Sequence, residues 1–519
     1  MKNTRGKILW VDDEVEHLKP HILYLEDKGY KIDSISNGKD ATILAKKNPY
    51  HIVLLDQSMP GMDGLETLKI LKKINPLIIV IMITKTEDEW LMNEAITEQV
   101  EQFLIKPVNP SQIFMACKQA LEKLKLRREK LTGDYLKEFR KIEAKLNLNL
   151  DLIDWWNLYN DLTDWQIKFD EFKDTGMSEI LNDQIMSCNK EFSFFIEKNY
   201  TKWVNSKKRP ILSNDIVKSY ISSRIEKDEK VCLIVVDCMR LDHLKVLIPY
   251  IEPFFNVEIN YALSLLPTAT AYSRNAIFSG LFPDEMVQKY PKQRNDMKND
   301  SSSLNKYESQ FFEEQLIRSG FKHKSIHYHK IWAVEEGNKL ASRFKDFVKK
   351  DIISLVVNFV DILAHKSSQT DVLKEMIQDE SGFRSAVRIW FEHSWLLKVL
   401  KKMSEENFSV ILTSDHGSIR VNNSVLVSAD KSASSGVRYK YGRNLNTNEK
   451  NALIIKDPSN FRLPAYGPQP SYLIAKDDVY FVYPNEANKY QTKFKNSFQH
   501  GGISMEEMLV PVAILKGKK

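Results

Sequence analysis

Cysteine is scarce in this 519-residue chain: it occurs only as Cys117, Cys188, Cys232 and Cys238, with no CxxC pair. That excludes a disulfide scaffold and a cysteine-built zinc site, and it points to a reducing compartment. No apolar run approaches the roughly 18 to 20 residues of a membrane-spanning helix. The opening stretch MKNTRGKILWVDDE lacks the unbroken apolar segment of a secretory signal. A cytoplasmic protein with no membrane partner is the expectation. Charge of one sign is also thin. A net +6 over this length permits anionic ligands without demanding them, and the densest basic run, EKLKLRREK, reads as an exposed helix face. Internal repeats and low-complexity tracts are missing.

Apolar residues make up 43% and aromatics 10%, values of ordinary globular protein, and the length calls for two or three domains. In the first 120 or so residues KILWV, HIVLLD, LIIVIMIT and QFLI read as buried parallel strands, with KIDSIS a weaker one. The segments between them have helical periodicity, as a doubly wound α/β domain requires. From Pro110 to about Lys207 glycine appears only as Gly133 and Gly176, and no proline follows Pro110 before Pro210. Leu152, Trp155, Trp156, Tyr159, Leu162 and Trp165 recur there at three and four, the mark of packed helices with the tryptophans in their core. Alternation of strands and helices resumes near Ser213. The expected domains are therefore 1–123, 124–207 and 208–519. Two polar stretches, KYPKQRNDMKNDSSSLNKYES and SADKSASSGVRYKYGRN, read as a surface excursion and a mobile loop near a site.

In the first domain Asp12 and Asp13 follow the first strand, Asp56 ends the third, Thr84 ends the fourth and Lys106 follows the fifth. The carboxyl ends of an open parallel sheet face one crevice, so these residues converge. Three carboxylates suit a hard divalent ion such as Mg²⁺. An ion beside Asp56 would shield an incoming phosphoryl group for attack by the carboxylate, with Lys106 and the Thr84 hydroxyl on the phosphoryl oxygens. With VDDE, LLDQSMPGMDG, MIT and FLIKP in this order and spacing, residues 5 to about 123 resemble a response-regulator receiver domain, a flavodoxin-like fold. The resemblance implies Asp56 as phosphoacceptor, Asp12 and Asp13 as magnesium acids, and Thr84, Phe103 and Lys106 as the switch residues.

Three later runs, VCLIVVD, LVVNFVD and FSVILTSDHG, each stop on an acid: Asp237, Asp361 and Asp415. His365 follows Asp361 by four residues, His416 adjoins Asp415, and His500 lies in FQHGG. Three aspartates and three histidines at strand ends suit zinc, and manganese less well. Six such ligands and one hydroxyl are enough for two neighbouring metals of the kind used in phosphoryl chemistry. A metal-bound threonine is a ready nucleophile, and PTAT offers Thr268 and Thr270.

From about residue 210 to 519 this order resembles the alkaline phosphatase superfamily and, within it, the PglZ-type domains. The resemblance implies one zinc on Asp361, His365 and His500, and another on Asp237, Asp415 and His416, with Thr270 bridging as the nucleophile. Receiver, helical middle and PglZ-type domain together resemble the PorX-type response regulators. That implies a sensor histidine kinase partner, dimerisation on phosphorylation, a link to type IX secretion, and a phosphodiesterase acting on linear or cyclic oligonucleotides.

The superfamily also holds monoesterases and sulfatases. The C/S-x-P-x-R context of a sulfatase is missing. A monoesterase needs a fixed cation for the extra phosphate charge, for which Arg240, Arg274, Lys440 and Arg443 are candidates. Tyr272, Tyr439 and Tyr441 offer faces for stacking bases. His327 and His329 in IHYHKIW fit packing or surface roles better than the site. A second expectation, of a different class, is a docking module with structural zinc that binds a sigma factor. Direct DNA binding fits poorly, for no helix-turn-helix follows the receiver.

Overall fold

The computed structural model describes residues 5–518 except 76, 86–88, 99, 173–174, 294–304, 368–369, 429–435, 448–449, 466–468 and 485–486. Much of the expected excursion and of the loop around SADKSASS lies outside the described residues. The chain forms two compact units, residues 1–141 with 168–177 and residues 142–167 with 178–519.

The first unit holds five strands, β1 (Gly6–Val11), β2 (Tyr30–Ile35), β3 (Ile52–Asp56), β4 (Ile79–Thr84) and β5 (Gln102–Ile105). They lie in the order β2-β1-β3-β4-β5, and each neighbouring pair is parallel. This is the flavodoxin-like doubly wound order. Alternate side chains of each strand leave on opposite faces. Leu9, Val11, Val53, Leu55, Val80 and Met82 pack in one apolar cluster, and Ile8, Trp10, Ile52, Leu54, Ile79, Ile81 and Ile83 in the other. Both faces are covered by apolar side chains, which is why the strand sequences read as unbroken apolar runs.

The middle of the chain is three helices, Pro110–Leu146, Leu152–Phe172 and Thr175–Val204. The boundary expected at 123/124 falls inside the first of them. Trp155 and Trp156 are buried as expected. Residues 152–167 and 178–204 pack with the C-terminal segment rather than alone. Trp156 stacks on Tyr261 with centroids 4.9 Å apart, and the Asn189 amide donates to Glu506 Oε2 at 2.9 Å.

In the second unit the strands are β6 (Val231–Val236), β7 (Phe255–Leu263), β8 (Ile326–Ile331), β9 (Ile352–Val357), β10 (Ser409–Thr413), β11 (Ile419–Val421), β12 (Asn423–Leu426), β13 (Tyr439–Gly442), β14 (Ala452–Ile455), β15 (Ser471–Ala475), β16 (Val479–Val482), β17 (Ser497–Gln499) and β18 (Leu509–Gly517). Six build the main sheet, in the order β7-β18-β10-β6-β9-β8. The central β10, β6, β9 and β8 run parallel, while β18 and β7 complete the sheet in antiparallel pairs. β6, β9 and β10 are buried along their whole length, and their carboxyl ends open on one crevice.

One expectation is corrected here. Asp237 and Asp415 do follow strands, but Asp361 does not end one: β9 stops at Val357, and Asp361 lies in the helix Phe359–Lys366. Asn358 follows the strand and is the N-cap of that helix. Four residues of helix carry the chain through one turn, which brings His365 onto the same face as Asp361. Among the described residues no helix is long and apolar enough to cross a membrane, and the four cysteines are buried and unpaired.

Candidate metal and phosphoryl-transfer sites

In the first unit, Lys106 Nζ lies 3.0 Å from Asp12 Oδ2 and 3.2 Å from Asp56 Oδ2. Ligand atoms of Asp12, Asp13 and Asp56 fall within 4.8 Å of one another. Burial raises the Asp56 pKa, Lys106 opposes it, and Asp12 and Asp13 add to it. Asp56 Oδ1 is buried without a hydrogen-bond partner, the state of a carboxylate oxygen that a cation would satisfy. Thr84 is fully buried at the end of β4, and Phe103 on β5 packs half-buried against the core. Gly64 explains part of the MDG run, for a Cβ there would stand 2.5 Å from the Asp56 carbonyl oxygen.

The second unit gathers six acid and histidine residues into two groups. Asp361, His365 and His500 form one and Asp237, Asp415 and His416 the other, with ligand atoms of each within 4.8 Å of one another. In the first group the His365 and His500 Nε2 atoms are 3.2 Å apart, and they lie 3.3 and 3.7 Å from Asp361 Oδ1. In the second, His416 Nε2 is 3.6 Å from both Asp237 Oδ1 and Asp415 Oδ2. The groups adjoin, since the His416 and His500 rings stack with centroids 4.2 Å apart.

The protonation of these groups follows from who faces whom. Burial drives Asp237 well above the usual carboxylate range against the pull of Arg274, and Asp415 and Asp361 push it further. Burial also works on Asp361, yet His365 and His500 hold it below that range. His500 is pushed well down by burial and by His416. Asp415 Oδ2 and Asp361 Oδ1 are buried without hydrogen-bond partners, the latter approached only by the two imidazole nitrogens. Acids crowded together with orphaned oxygens, facing imidazole nitrogens, fit a pair of cations.

Backbone contacts aim the imidazoles. His416 Nδ1 is 3.0 Å from the Gly417 carbonyl and His500 Nδ1 is 3.3 Å from that of Thr268. Donation there leaves each Nε2 lone pair free for a metal. Gly417 is glycine for a steric reason: a Cβ would meet the Glu506 carbonyl oxygen at 1.9 Å. Cys238, next to Asp237, holds φ at +67°, a left-handed conformation costly for a residue with a Cβ. It turns two amides toward the β10 loop, Cys238 N to Asp415 Oδ1 at 3.3 Å and Met239 N to Ser414 Oγ at 3.0 Å. Cys238→Gly is expected to keep the melting temperature. Cys238→Val is expected to lose about 1–3 kcal/mol of stability, read by thermal melting.

The two threonines of PTAT part company. Thr268 Oγ1 donates to the Gly502 carbonyl at 2.7 Å and is fully buried. Thr270 opens the helix Thr270–Ser279, and its Oγ1 lies 3.4 Å from Asp237 Oδ1 and 3.0 Å from His416 Nε2. Thr270, Asp237, Asp361, His365 and His500 border a cavity of about 850 Å³, with Asn305, Lys306, Tyr328, Lys330, Trp332 and Tyr439 on its wall.

The candidate substrate cations need correction. Arg240 is buried away from this cavity, where Nε and Nη2 bind Asp242, Nη2 also binds Glu380, and Nη1 reaches the Ser418 carbonyl. Arg274 borders the cavity but is committed: Nη1 binds Asp237 Oδ2 and Asn358 Oδ1, and Nε binds Glu308 Oε1. Lys440 is buried over the Tyr483 ring, where burial lowers its pKa to about 8, and exposed Arg443 is likewise not among the cavity-lining residues. Of the three tyrosines, Tyr439 lines the cavity, Tyr272 packs edge-on against it, and Tyr441 packs on Tyr472. His327 stacks on Phe347. Sequence reasoning missed Glu308, Asn358 and Lys330. Glu308 ends a polar stretch with no periodic signal, and Lys330 sits in IHYHKIW, where the histidines draw the eye.

Residues 216–515 match the family described as the BREX system PglZ alkaline phosphatase-like domain. The chain belongs to the PglZ family. Ahead of the PglZ domain, residues 8–118 match the response regulator receiver domain and residues 125–204 the PorX response regulator linker domain, the set of a PorX-type regulator. The PglZ chain is thus a two-component response regulator with a phosphatase-like effector. Alkaline phosphatase-like domains are commonly metal-dependent, and receiver domains bind Mg²⁺.

Among curated proteins it is similar to the transcriptional regulatory protein ResD of Bacillus subtilis (strain 168), 32% identical over 124 residues, or 24% of this chain and 50% of ResD. The transcriptional regulatory protein ZraR of Klebsiella oxytoca is 30% identical over 132 residues, 25% of this chain and 30% of ZraR. The PglZ chain spans half or less of these relatives' lengths. Among solved structures, chemotaxis protein CheY4 of Vibrio cholerae is 24% identical, covering 22% of this chain and 98% of CheY4 with a TM-score of 0.22.

Proposed function

We propose that the PglZ domain is a zinc-dependent phosphodiesterase controlled by phosphorylation of Asp56. The observation that carries this reading is the Thr270 hydroxyl lying beside Asp237 and His416 in a cavity that Asp361, His365 and His500 also border. Asp361, His365 and His500 would hold one zinc and Asp237, Asp415 and His416 the other. When bound, the pair would supply Lewis acidity at the attacking and leaving oxygens.

The chain's own groups do the rest. Thr270 Oγ attacks the phosphorus and forms a phosphothreonyl ester, and the proton it loses ends on the alkoxide that leaves. Water then attacks that phosphorus and returns the hydroxyl to Thr270. Arg274 holds Asp237 Oδ2, so the opposite oxygen, Oδ1, faces Thr270 and His416. Arg274 is so committed that it does not take the extra charge of a monoester, and Lys330 on the wall already faces Glu308, which together favour a diester with one non-bridging charge. Lys306 and Lys330 on the wall suit an anionic chain, and linear or cyclic oligonucleotides are the proposed substrates.

At the receiver, a sensor histidine kinase would phosphorylate Asp56 with Mg²⁺ held by Asp12, Asp13 and Asp56. The phosphoryl oxygens would draw in Lys106 and Thr84, Phe103 would turn inward, and the altered face would pair two chains. A cytoplasmic role linked to type IX secretion completes the proposal, with the sigma factor as the partner of the alternative docking reading.

Zinc-loaded protein is expected to hydrolyse bis-p-nitrophenyl phosphate with a kcat/KM above that for p-nitrophenyl phosphate. No turnover of either ester would move the reading to a docking module with structural zinc. Beryllofluoride with Mg²⁺ is expected to double the mass measured by light scattering, and Asp56→Asn to abolish that response. An unchanged mass in the wild type would contradict the switch.

A further inference from the structure

Trp332 follows β8 and is 58% exposed, yet it lines the cavity bordered by Thr270, Asp237 and the group Asp361, His365 and His500. An isolated tryptophan on an open surface needs no explanation. One on the wall of a cavity built for phosphoryl chemistry does, because so large an apolar face is costly to leave in water. Its backbone is fixed, as Trp332 N donates to Glu336 Oε2 at 2.9 Å, and Glu336 lies in the first turn of the helix Val334–Ser342. One part of its ring faces the Lys330 ammonium, 5.1 Å from the centroid. Lys330 is tethered in turn, with Nζ 3.2 Å from Glu308 Oε2, an acid that also binds Arg274 and the Tyr328 hydroxyl. The result is a held indole beside a held cation, both opening on the same cavity.

We propose that Trp332 is the stacking platform for the base of a nucleotidyl ester, with Lys330 beside it for the ester's negative charge. The inference rests on the phosphodiesterase reading for the ester that it seats. The chemistry selects this ligand class. A planar base gains from stacking on an indole, and gains in a way that tolerates any base. A lipid diester would call for an apolar groove, whereas Asn305, Lys306, Tyr328 and Lys330 make this wall polar. A base-free sugar phosphate would meet the same cation and leave the indole face unused.

The test compares AMP with ribose 5-phosphate, which differ by the base alone, as ligands of the zinc-loaded full chain in calorimetry. AMP is expected to bind about tenfold or more tighter. Trp332→Ala should bring the two within about threefold of each other, and Trp332→Phe should keep most of the preference. Equal affinities in the wild type, no binding of AMP, or a preference untouched by Trp332→Ala would each overturn the platform. Hydrolysis of bis-p-nitrophenyl phosphate, run in parallel, separates this from the reading beneath it. Turnover without base preference overturns the platform alone. A preference lost in Trp332→Ala supports the platform even where the ester is not hydrolysed, and in that case it is the phosphodiesterase reading that fails.

Discussion

Thr270→Val is expected to reduce hydrolysis of bis-p-nitrophenyl phosphate on the order of 10³-fold or more while the protein stays folded and keeps its zinc. Valine matches threonine in shape, so the exchange removes one hydroxyl and little else. All six acid and histidine ligands remain, and the cavity wall is unchanged. Only the oxygen beside Asp237 and His416 goes. The neighbouring Thr268→Val is the informative partner. Its hydroxyl donates to the Gly502 carbonyl and accepts from Gly501 N, next to His500. Loss of that pair should appear first as about 1–3 kcal/mol of lost stability and weakened zinc binding, because two buried backbone groups are left unpaired. Kinetics and metal analysis on both variants tell a missing nucleophile from a displaced ligand.

The second large effect concerns stability. Arg274→Leu is expected to cost about 3–5 kcal/mol in zinc-free protein, because Asp237 and Glu308 are left buried without their shared counter-charge. Bound zinc should shrink the loss by restoring positive charge beside Asp237. The pH dependence has a definite sign. Burial works to raise the Glu308 pKa, but Arg274 and Lys330 prevail and hold it below the ordinary 4.5. Its stabilising share is therefore present above pH 4.5 and is lost as pH falls through the lower folded value. Without Arg274 burial is opposed mainly by Lys330, and Glu308 takes up a proton more readily. The gap between wild type and variant should close as pH is lowered toward the unfolded glutamate value, and widen above it. Urea denaturation over that range measures it.

The receiver was legible because its chemistry sits where strand periodicity stops. The strands in KILWV, HIVLLD and LIIVIMIT are buried on both faces and QFLI lies half-buried at the sheet edge, so their unbroken apolar runs mark strands, and the next polar residue marks the crevice. Asp237 and Asp415 were read by the same rule. Asp361 shows its limit. LVVNFVD looks continuous, but Asn358 turns the chain into a helix, and the spacing of four to His365 is the helical signal that run hid. Charges were read least well. Arg240 and Arg274 look like free cations in sequence; Asp242 stands only two residues from Arg240, but tertiary packing is what brings Glu380 to Arg240 and Glu308 to Arg274. Trp332 went unseen for the opposite reason. Nothing in IHYHKIW distinguishes a core tryptophan from one left standing in a cavity.

The central claim is that Thr270 forms and then releases a covalent phosphoryl ester. Each in-line displacement inverts phosphorus, so two in sequence restore its configuration. The most direct measurement is the stereochemical course of hydrolysis of one diastereomer of thymidine 5′-(p-nitrophenyl phosphorothioate) by zinc-loaded protein in ¹⁸O-water. Net retention is the predicted result. Net inversion would mean that water attacks the ester in a single step, and would contradict the role given to Thr270.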